Sequence, residues 1–429
     1  MKKIYEVLMK TILTVRRLIW LAAFVLLAVW ILPGCTAMVP SPHGEIASGS
    51  AVRMYTQFPV YDKSIDRIQV ILENGGDINL EYGTEWAVEK KQGDAWVQVP
   101  FIPDAAWTQP LLVLAPGGTD SYYVHMSMLD HSLRDGQYRV VKEVSGTVYG
   151  AEFAIGESDV AEDAPFGYLP LEELPEGYST EDAAEDGVVV YHCTDDTFEN
   201  AERIPAFLEN VIRGVDDQIR FAFYSSNTPD KVLLTEVTFT GGSPTRFQHR
   251  FDFTRQQPDT TIQSQYFSYL TTHNDKLFCL ANAGNTTRLS DDSCMQLSPM
   301  SENWEGKEEW LKRITEYASS RMSPVSAWSP DGLRHVWASP DDVLTFFVNI
   351  QYPEGGSMGY TADLLSEKIP QSVKEFLWID ETTLFIVCST NEDGLEYFAT
   401  YDTDKQKITH WSTGKNGYSW EDGDIVIPD

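Results

Sequence analysis

Positive charge is scarce in this sequence: 32 Lys and Arg stand against 64 Asp and Glu, a net charge of −32. The imbalance is sharper beyond the N-terminal segment. Lys2, Lys3, Lys10, Arg16 and Arg17 against Glu6 precede Cys35, which leaves 27 bases and 63 acids, or −36, in the remaining body. Nucleic-acid binding depends on Lys and Arg displacing counterions from phosphates, so no nucleic-acid partner is expected. Such a body also stays off anionic lipid unless something holds it there. Solubility is the simplest account of the acidity. A cationic partner or a loosely held divalent ion is the other.

Cysteine and histidine are few, five and eight. There is no CxxC, and only His192 and Cys193 are neighbours, so the tight ligand pairs that zinc needs are missing and no metal site is expected. There is also no G-x-S-x-G, and the histidines are scattered. The run Tyr191-His192-Cys193-Thr194-Asp195-Asp196 collects reactive residue types, but neighbours along a strand point to opposite faces. Asp195 and Asp196 read more simply as acids at a helix N-terminus. Acids alternate in "YDTDKQ" (401–406) and "WEDGD" (420–424), yet neither continues to the glutamate that completes an EF-hand. No catalytic residue is assigned. The 12 Trp and 20 Tyr could line a sugar-binding face, though in a β-rich chain such residues serve chiefly as core and cross-strand partners.

Long apolar runs are absent as well. The longest, "LIWLAAFVLLAVWIL" (18–32), rises only about 22 Å as a helix, short of the ~30 Å hydrocarbon core. Five bases, a short apolar stretch and then a small residue describe an export signal. The residues that follow, Leu32-Pro33-Gly34-Cys35, resemble the bacterial lipobox: an aliphatic residue at −3, a small one at −1, then the cysteine. Pro33 stands where that family usually has a small or hydroxylated residue. The resemblance implies that the Cys35 thiol is alkylated with diacylglycerol and becomes the acylated N-terminus after cleavage. Uncut, the run would itself serve as an anchor with the bases inside. Both routes predict a membrane-attached body facing outside the cytoplasm, with the lipid on Cys35 the only non-protein group and no other cofactor. Residues 36–50, with several breakers and little periodicity, read as a flexible tether.

The body reads as multidomain and mainly β. Over 51–156, "RIQVILEN" (67–74), "EWAVEKK" (85–91), "AWVQVP" (95–100), "SYYVHMSM" (121–128), "GQYRVVKEV" (136–144) and "VYGAEFAI" (148–155) alternate as strands, with Gln92-Gly93-Asp94 as a hairpin turn. Short strands without helical period predict a β-sandwich. Leu133-Arg134-Asp135-Gly136-Gln137-Tyr138 has the form of the immunoglobulin-type corner, in which the Tyr138 hydroxyl bonds back to nearby backbone. Val140 stands where antibody domains place a cysteine, which predicts a purely apolar core. With "ILENGGDINLEYGTEWAVEK", Trp96, "LAPGG" (114–118) and "LRDGQYRVVKE", the segment resembles the immunoglobulin-like domains of exported bacterial lipoproteins. That resemblance implies a fold and no particular activity.

Residues 157–186 hold eleven acids and no base and read as a linker, with one short helix begun by the Ser179–Asp182 capping spacing. An α+β domain is expected over 187–299. It has a strand at 188–193 and helical spacing of Phe198, Ala201, Ile204, Leu208, Val211 and Ile212, with Pro205 kinking or starting the helix. Strands at 218–225, 231–241, 245–255 and 276–282 follow. This region resembles uncharacterised domains of Gram-positive exported proteins, a likeness that implies no chemistry. Cys279 and Cys294 close a polar loop of about fifteen residues and are the favoured disulfide, for which loop entropy gives roughly 3 kcal/mol. Four buried thiols, with Cys193 and Cys388, are the alternative. Residues 300–429 read as an amphipathic helix (307–321) with propeller-like antiparallel hairpins packed on it. The expected role is a non-catalytic, membrane-anchored module binding an unknown protein or glycan. A tethered hydrolase of envelope or dietary polymers, or a sensor or accessory subunit of a neighbouring membrane system, is the alternative.

Overall fold

The computed structural model describes residues 39–43, 46, 51–107, 110–157, 166–192, 197–225, 228–242, 244–273, 277–282, 294–297, 304–320, 325–338, 345–352, 357–363, 372–389, 396–414, 419–421 and 424–426. Cys35 and Cys193 lie outside them. Among the described residues no helix is long and apolar enough to cross a membrane.

The N-terminal unit comprises β1 (Val39–Pro40), β2 (Val52–Thr56), β3 (Val60–Tyr61), β4 (Arg67–Asn74), β5 (Leu80–Tyr82), β6 (Ala87–Gln92), β7 (Ala95–Gln98), β8 (Leu112–Leu114), β9 (Thr119–His125), β10 (Gly136–Val144) and β11 (Thr147–Ile155). One sheet runs β1-β7-β6-β10-β11-β3, with β5 pairing the end of β10 and β8 pairing β5; the other is β2-β4-β9. The two enclose Ile68, Val70, Leu72, Val88, Val124, Tyr138, Val140 and Phe153. The Tyr138 hydroxyl donates to the Arg134 carbonyl at 2.6 Å and accepts the Arg134 N–H at 3.0 Å, while its ring is 1% exposed. A buried bond of this kind contributes about 1–2 kcal/mol. Tyr138→Phe is therefore expected to lower stability by that amount in denaturant titration, and an unchanged midpoint would contradict the corner's role.

The sandwich core is not purely apolar. Lys142 shares the inward parity of Tyr138, Val140 and Val144 and is 4% exposed. Its ammonium donates to the Glu85 carbonyl at 2.9 Å and sits 4.6 Å from the Tyr122 ring and 5.6 Å from that of Tyr82. The aromatic faces and the carbonyl replace part of the lost water. Burial nevertheless pushes its pKa down to about 8, with Asp120 and Glu85 opposing. The unfolded chain, with Lys142 at its ordinary value, holds the proton more tightly, so the charged form is penalised below about pH 8 and the penalty fades toward pH 10.5. Lys142→Met should consequently gain stability relative to wild type at pH 7. That advantage should shrink by about 3 kcal/mol as the pH rises through 8 to 10.5. Parallel urea titrations at pH 7 and pH 10 measure it; a pH-independent difference would contradict the assignment.

The expected tether is partly docked. Val39 and Pro40 pair with Gln98 and Val97 on the edge strand β7. Ser41 donates to Glu89 at 2.5 Å, and Ile46 lies so close over Gly150 that a Cβ there would meet it at 2.8 Å. This segment covers the buried Arg139–Glu89 pair, whose guanidinium stacks 4.3 Å from Trp96.

The middle region contains α1 (Thr180–Glu185), β12 (Val189–His192), β13 (Thr197–Glu199), α2 (Arg203–Arg213), β14 (Asp217–Ser225), β15 (Thr228–Thr240), β16 (Arg246–Asp252), β17 (Gln263–Phe267), β18 (Tyr269–His273), β19 (Leu277–Ala281), β20 (Cys294–Gln296) and α3 (Lys307–Ser320). Its main sheet is β13-β12-β14-β15-β16-β17, with β18-β19-β20 a separate small sheet. Ser179 and Asp182 form a complete capping box on α1. Phe198 lies on a strand, not the expected helix, and α2 begins at Arg203 with Pro205 in its first turn, where a missing N–H costs nothing. Residues 166–186, expected as a linker, instead press Tyr168, Leu171, Leu174, Tyr178 and Ala183 against Val190, Ala222 and Leu234 of the sheet. Helix α3, which sequence spacing groups with the tail, packs Leu311 and Ile314 with Phe207, Val211, Leu270 and Phe278 of this region. The apolar stripe on α3 is matched by β18 and α2 rather than by the tail strands.

The tail forms two four-stranded antiparallel meanders. The first is β21 (Val325–Trp328), β22 (Arg334–Ala338), β23 (Thr345–Gln351) and β24 (Ser357–Asp363). The second is β25 (Ser372–Trp378), β26 (Thr383–Ser389), β27 (Glu396–Asp402) and β28 (Lys407–Gly414). They share one core, including Val336, Phe346, Phe376, Ile386 and Cys388. A hairpin, β29 (Ser419–Glu421) and β30 (Asp424–Val426), ends the described chain.

Candidate functional site

The outer face of β2-β4-β9 is not solvated. Ile68, Val70 and Leu72 of β4 face the sandwich core, while Gln69 (2% exposed) and Ile71 (0%) point the other way. This two-sided burial explains why "RIQVILEN" is a nearly continuous apolar run. What covers that face is the turn after α2. Gly214 takes the left-handed conformation (φ 71°) as the helix cap, and its carbonyl turns outward. Gln69 Nε2 donates to that oxygen at 2.8 Å and Ser121 Oγ at 2.6 Å, while Gln69 Oε1 accepts the Asp216 N–H at 2.9 Å. Gln57 Nε2 donates to the Asp216 carbonyl at 2.7 Å. Arg213 bonds Tyr55 and Glu73 across the same seam.

Beside this seam opens a cavity of about 460 Å³, the size of a small-ligand pocket. Its walls are Phe58 and Tyr61 from the sandwich, Phe166, and Phe239 from β15, and its polar groups include Arg67, Tyr123, Asp216 and Arg246. The Tyr123 hydroxyl donates to Asp216 Oδ1 at 2.6 Å, with the Gly241 carbonyl at 2.9 Å; the Gly241 N–H donates to the same carboxylate oxygen at 2.7 Å. Desolvation raises the Asp216 pKa despite these bonds. Desolvation and the bond to Asp216 also keep Tyr123 protonated. The Arg67 guanidinium stacks 4.5 Å from the Tyr123 ring. Arg246 donates to the Gly332 carbonyl of the tail at 2.9 Å and stands 5.5 Å from the Trp328 ring. Burial lowers its pKa, and the nearby Arg67 adds to this. Asp62 and Asp66 also line the cavity, so it offers both charges rather than one. Two guanidinium groups, carboxylates and aromatic walls suit a polar ligand with planar or hydroxyl-bearing surfaces.

A second groove of about 830 Å³ between the sandwich and α2–α3 is lined by ion pairs: Arg53–Glu73, Arg213–Glu73 and Arg313–Glu209. Among the described residues the nearest approach to a nucleophile–base pair is Ser268 Oγ with His335 Nε2 at 3.4 Å. Both residues are buried, and burial pushes the His335 pKa down to about 3; its Nδ1 meets no carboxylate among the described residues. His249 is likewise buried, with its pKa near 3. No group of metal-ligating residues occurs among the described ones.

The residues singled out by sequence lie elsewhere. His192 bonds Glu199 at 2.7 Å on the surface, while Cys193–Asp196 fall outside the described residues. In "YDTDKQ" the Asp402 carboxylate accepts the backbone N–H groups of Asp404 and Lys405, an ordinary turn, and Asp404 pairs with Arg334. Cys279 pairs in register with Gln296, and Ala281 with Cys294. The two cysteines thus sit on adjacent strands, two residues apart in register. Cys279 is buried, and the side chain of Cys294 is outside the described residues. Cys388 is buried too, and desolvation raises its thiol pKa to about 12. Sequence reading missed the cavity. Its one signal was Gln69 inside an apolar strand, a polar side chain that needs a partner once buried.

Residues 48–158 match the family described as the bacterial Ig-like domain. No curated protein matches the chain. Among solved structures, the alkylpurine DNA glycosylase AlkC of Pseudomonas fluorescens is 15% identical over 26% of this chain and 32% of its own, with a TM-score of 0.16. A β-glucosidase of Listeria innocua is 14% identical over 27% and 17%, TM-score 0.16. The sporulation control protein Spo0M of Bacillus subtilis is 10% identical over 51% and 89%, TM-score 0.16. The chain thus spans about a third and a sixth of the first two proteins. Likeness at this level carries no functional argument.

Proposed function

We propose that this protein is a lipid-anchored extracytoplasmic binding module that takes a protein or glycan ligand in the cavity between its Ig-like domain and middle region. The observation that carries the reading is the cavity itself: Arg67, Tyr123, Asp216 and Arg246 converge there from two structural units. The lipobox resemblance at Cys35 supports the anchor. The burial of the Ser268–His335 pair, with no carboxylate on His335 Nδ1 among the described residues, favours binding over nucleophilic catalysis. Asp216 is the residue on which a hydrolase reading would rest, since a cavity carboxyl with a raised pKa is a general-acid signature. Its Oδ1 already accepts two bonds that join the two units, which gives it a structural task.

Cys35→Ser should abolish incorporation of labelled palmitate and block cleavage by the lipoprotein-specific peptidase, leaving the uncut precursor held by its apolar run. Equal labelling of wild type and variant would remove the anchor from the reading. A panel of glycans, peptides and chromogenic hydrolase substrates tests the rest. A bound ligand whose affinity falls at least tenfold in Arg67→Ala supports the module. Turnover lost in Asp216→Asn would replace it with the enzyme.

A further inference from the structure

The Ig-like domain has two distinguishable ends. At one, β3 meets β11 (Val60 with Ala154, Tyr61 with Ile155), and the cavity residues Phe58–Arg67 cluster there. At the other, Val144 of β10 pairs with Tyr82 of β5, and Tyr82 pairs with Leu112 of β8. This second end carries three of the most exposed large apolar side chains among the described residues: Leu111 at 68%, Ile78 at 65% and Val113 at 56%. They lie in one part of the fold: Asn74 Nδ2 holds both the Ile78 carbonyl (2.8 Å) and the Leu114 carbonyl (3.0 Å), and Leu111 and Val113 flank Leu112 at the start of β8.

The docked N-terminal segment points toward this end. Ser41 donates its N–H to Trp96, and Val39 pairs with Gln98; read toward the N-terminus, the chain therefore climbs β7 in the direction of β8. Gln98 is in register with Glu89 and Arg139, and Arg139 stands five residues before Val144 on β10, about 17 Å along the strand. Cys35 lies four residues before Val39, a reach of at most about 14 Å.

We infer that the Ile78–Leu111–Val113 end of the Ig-like domain rests on the lipid bilayer, which makes the cavity end the one that faces away from it. The inference rests on the anchoring at Cys35 proposed above. The occupant is the lipid surface rather than a partner protein, because β1 runs toward this end and Cys35, the residue proposed to carry the lipid, lies only four residues before Val39. Residues 75–84 and 110–120 hold no Lys or Arg, and Asp77 and Glu81 border the patch. The contact is thus apolar and depends on the anchor, not on anionic headgroups.

The test is photo-crosslinking of the full chain in bacterial membranes, with a benzophenone amino acid placed singly at 78, 111 or 113 and, as controls, at the exposed apolar positions 358 and 379. Each variant is first checked for an unchanged melting profile. Phospholipid adducts at least tenfold more abundant at 111 and 113 than at 358 and 379 are expected. Protein that sediments with membranes yet gives no lipid adduct at 111 or 113, or a protein adduct instead, overturns this inference and leaves the anchor standing. Protein absent from the membrane fraction overturns both.

Discussion

Gly241→Ala is expected to cost about 3 kcal/mol or more, the upper part of the range for overpacked sites. A Cβ at Gly241 would lie 1.9 Å from the Gly214 carbonyl oxygen and 2.7 Å from its carbon, both backbone atoms. No rotamer change relieves that clash; the turn after α2 must move. That same carbonyl accepts from Gln69 and Ser121, and the Gly241 N–H and carbonyl bond Asp216 and Tyr123. One methyl group therefore disturbs the whole seam between the Ig-like domain and the middle region. Gly177→Ala, where an added Cβ meets nothing within 4 Å, is the control and should stay within about 0.5 kcal/mol of wild type. Chemical denaturation followed by tryptophan fluorescence compares the two. Equal midpoints would mean that the seam does not hold the units together.

Arg220→Ala should be comparably severe, about 3 kcal/mol, because it leaves the buried Glu236 carboxylate with only the longer 3.5 Å contact to Arg250. Arg220 is 1% exposed and Glu236 2%. Arg220 Nε donates to Glu236 at 2.9 Å, its Nη2 bonds the Leu169 carbonyl at 2.6 Å, and its guanidinium lies 5.0 Å from the Tyr168 ring. The pair fastens residues 168–169 to the central strands of the middle sheet. Desolvating two ions offsets most of their attraction, so the double substitution Arg220→Met with Glu236→Leu should fall far closer to wild type than either single change. A single Arg220→Ala variant that loses less than about 1 kcal/mol would show that Arg250 or water satisfies Glu236 without it.

Both predictions fall on parts of the molecule that sequence periodicity did not reveal, and the reason is range. Strands 67–74 and 136–144 and helix 307–320 could be read nearly to the residue, because alternation, turn residues and i,i+4 spacing are short-range signals. The Arg134–Tyr138 corner and the Ser179–Asp182 box are equally local, four and three residues apart. The fold class and the Ig-like segment followed from them. The seam is another matter: Ser121 finds Gly214 across 93 residues, and Arg213 finds Tyr55 across 158. No local pattern encodes such a meeting. The acidic segment 166–186 read as a linker because its charge masks Tyr168, Leu171, Leu174 and Tyr178, which become a core only when a sheet lies beneath them. Lys142 is turned inward by the register of its strand, which no local pattern shows. Sequence alone determined most strands and the caps, since each depends on residues within one or two turns of chain. Tertiary structure alone decided which strand faces are buried twice, where the cavity opens and which edge strand Val39 and Pro40 join. Those outcomes depend on surfaces brought together from distant segments, where desolvation and close packing, rather than propensity, select the partner.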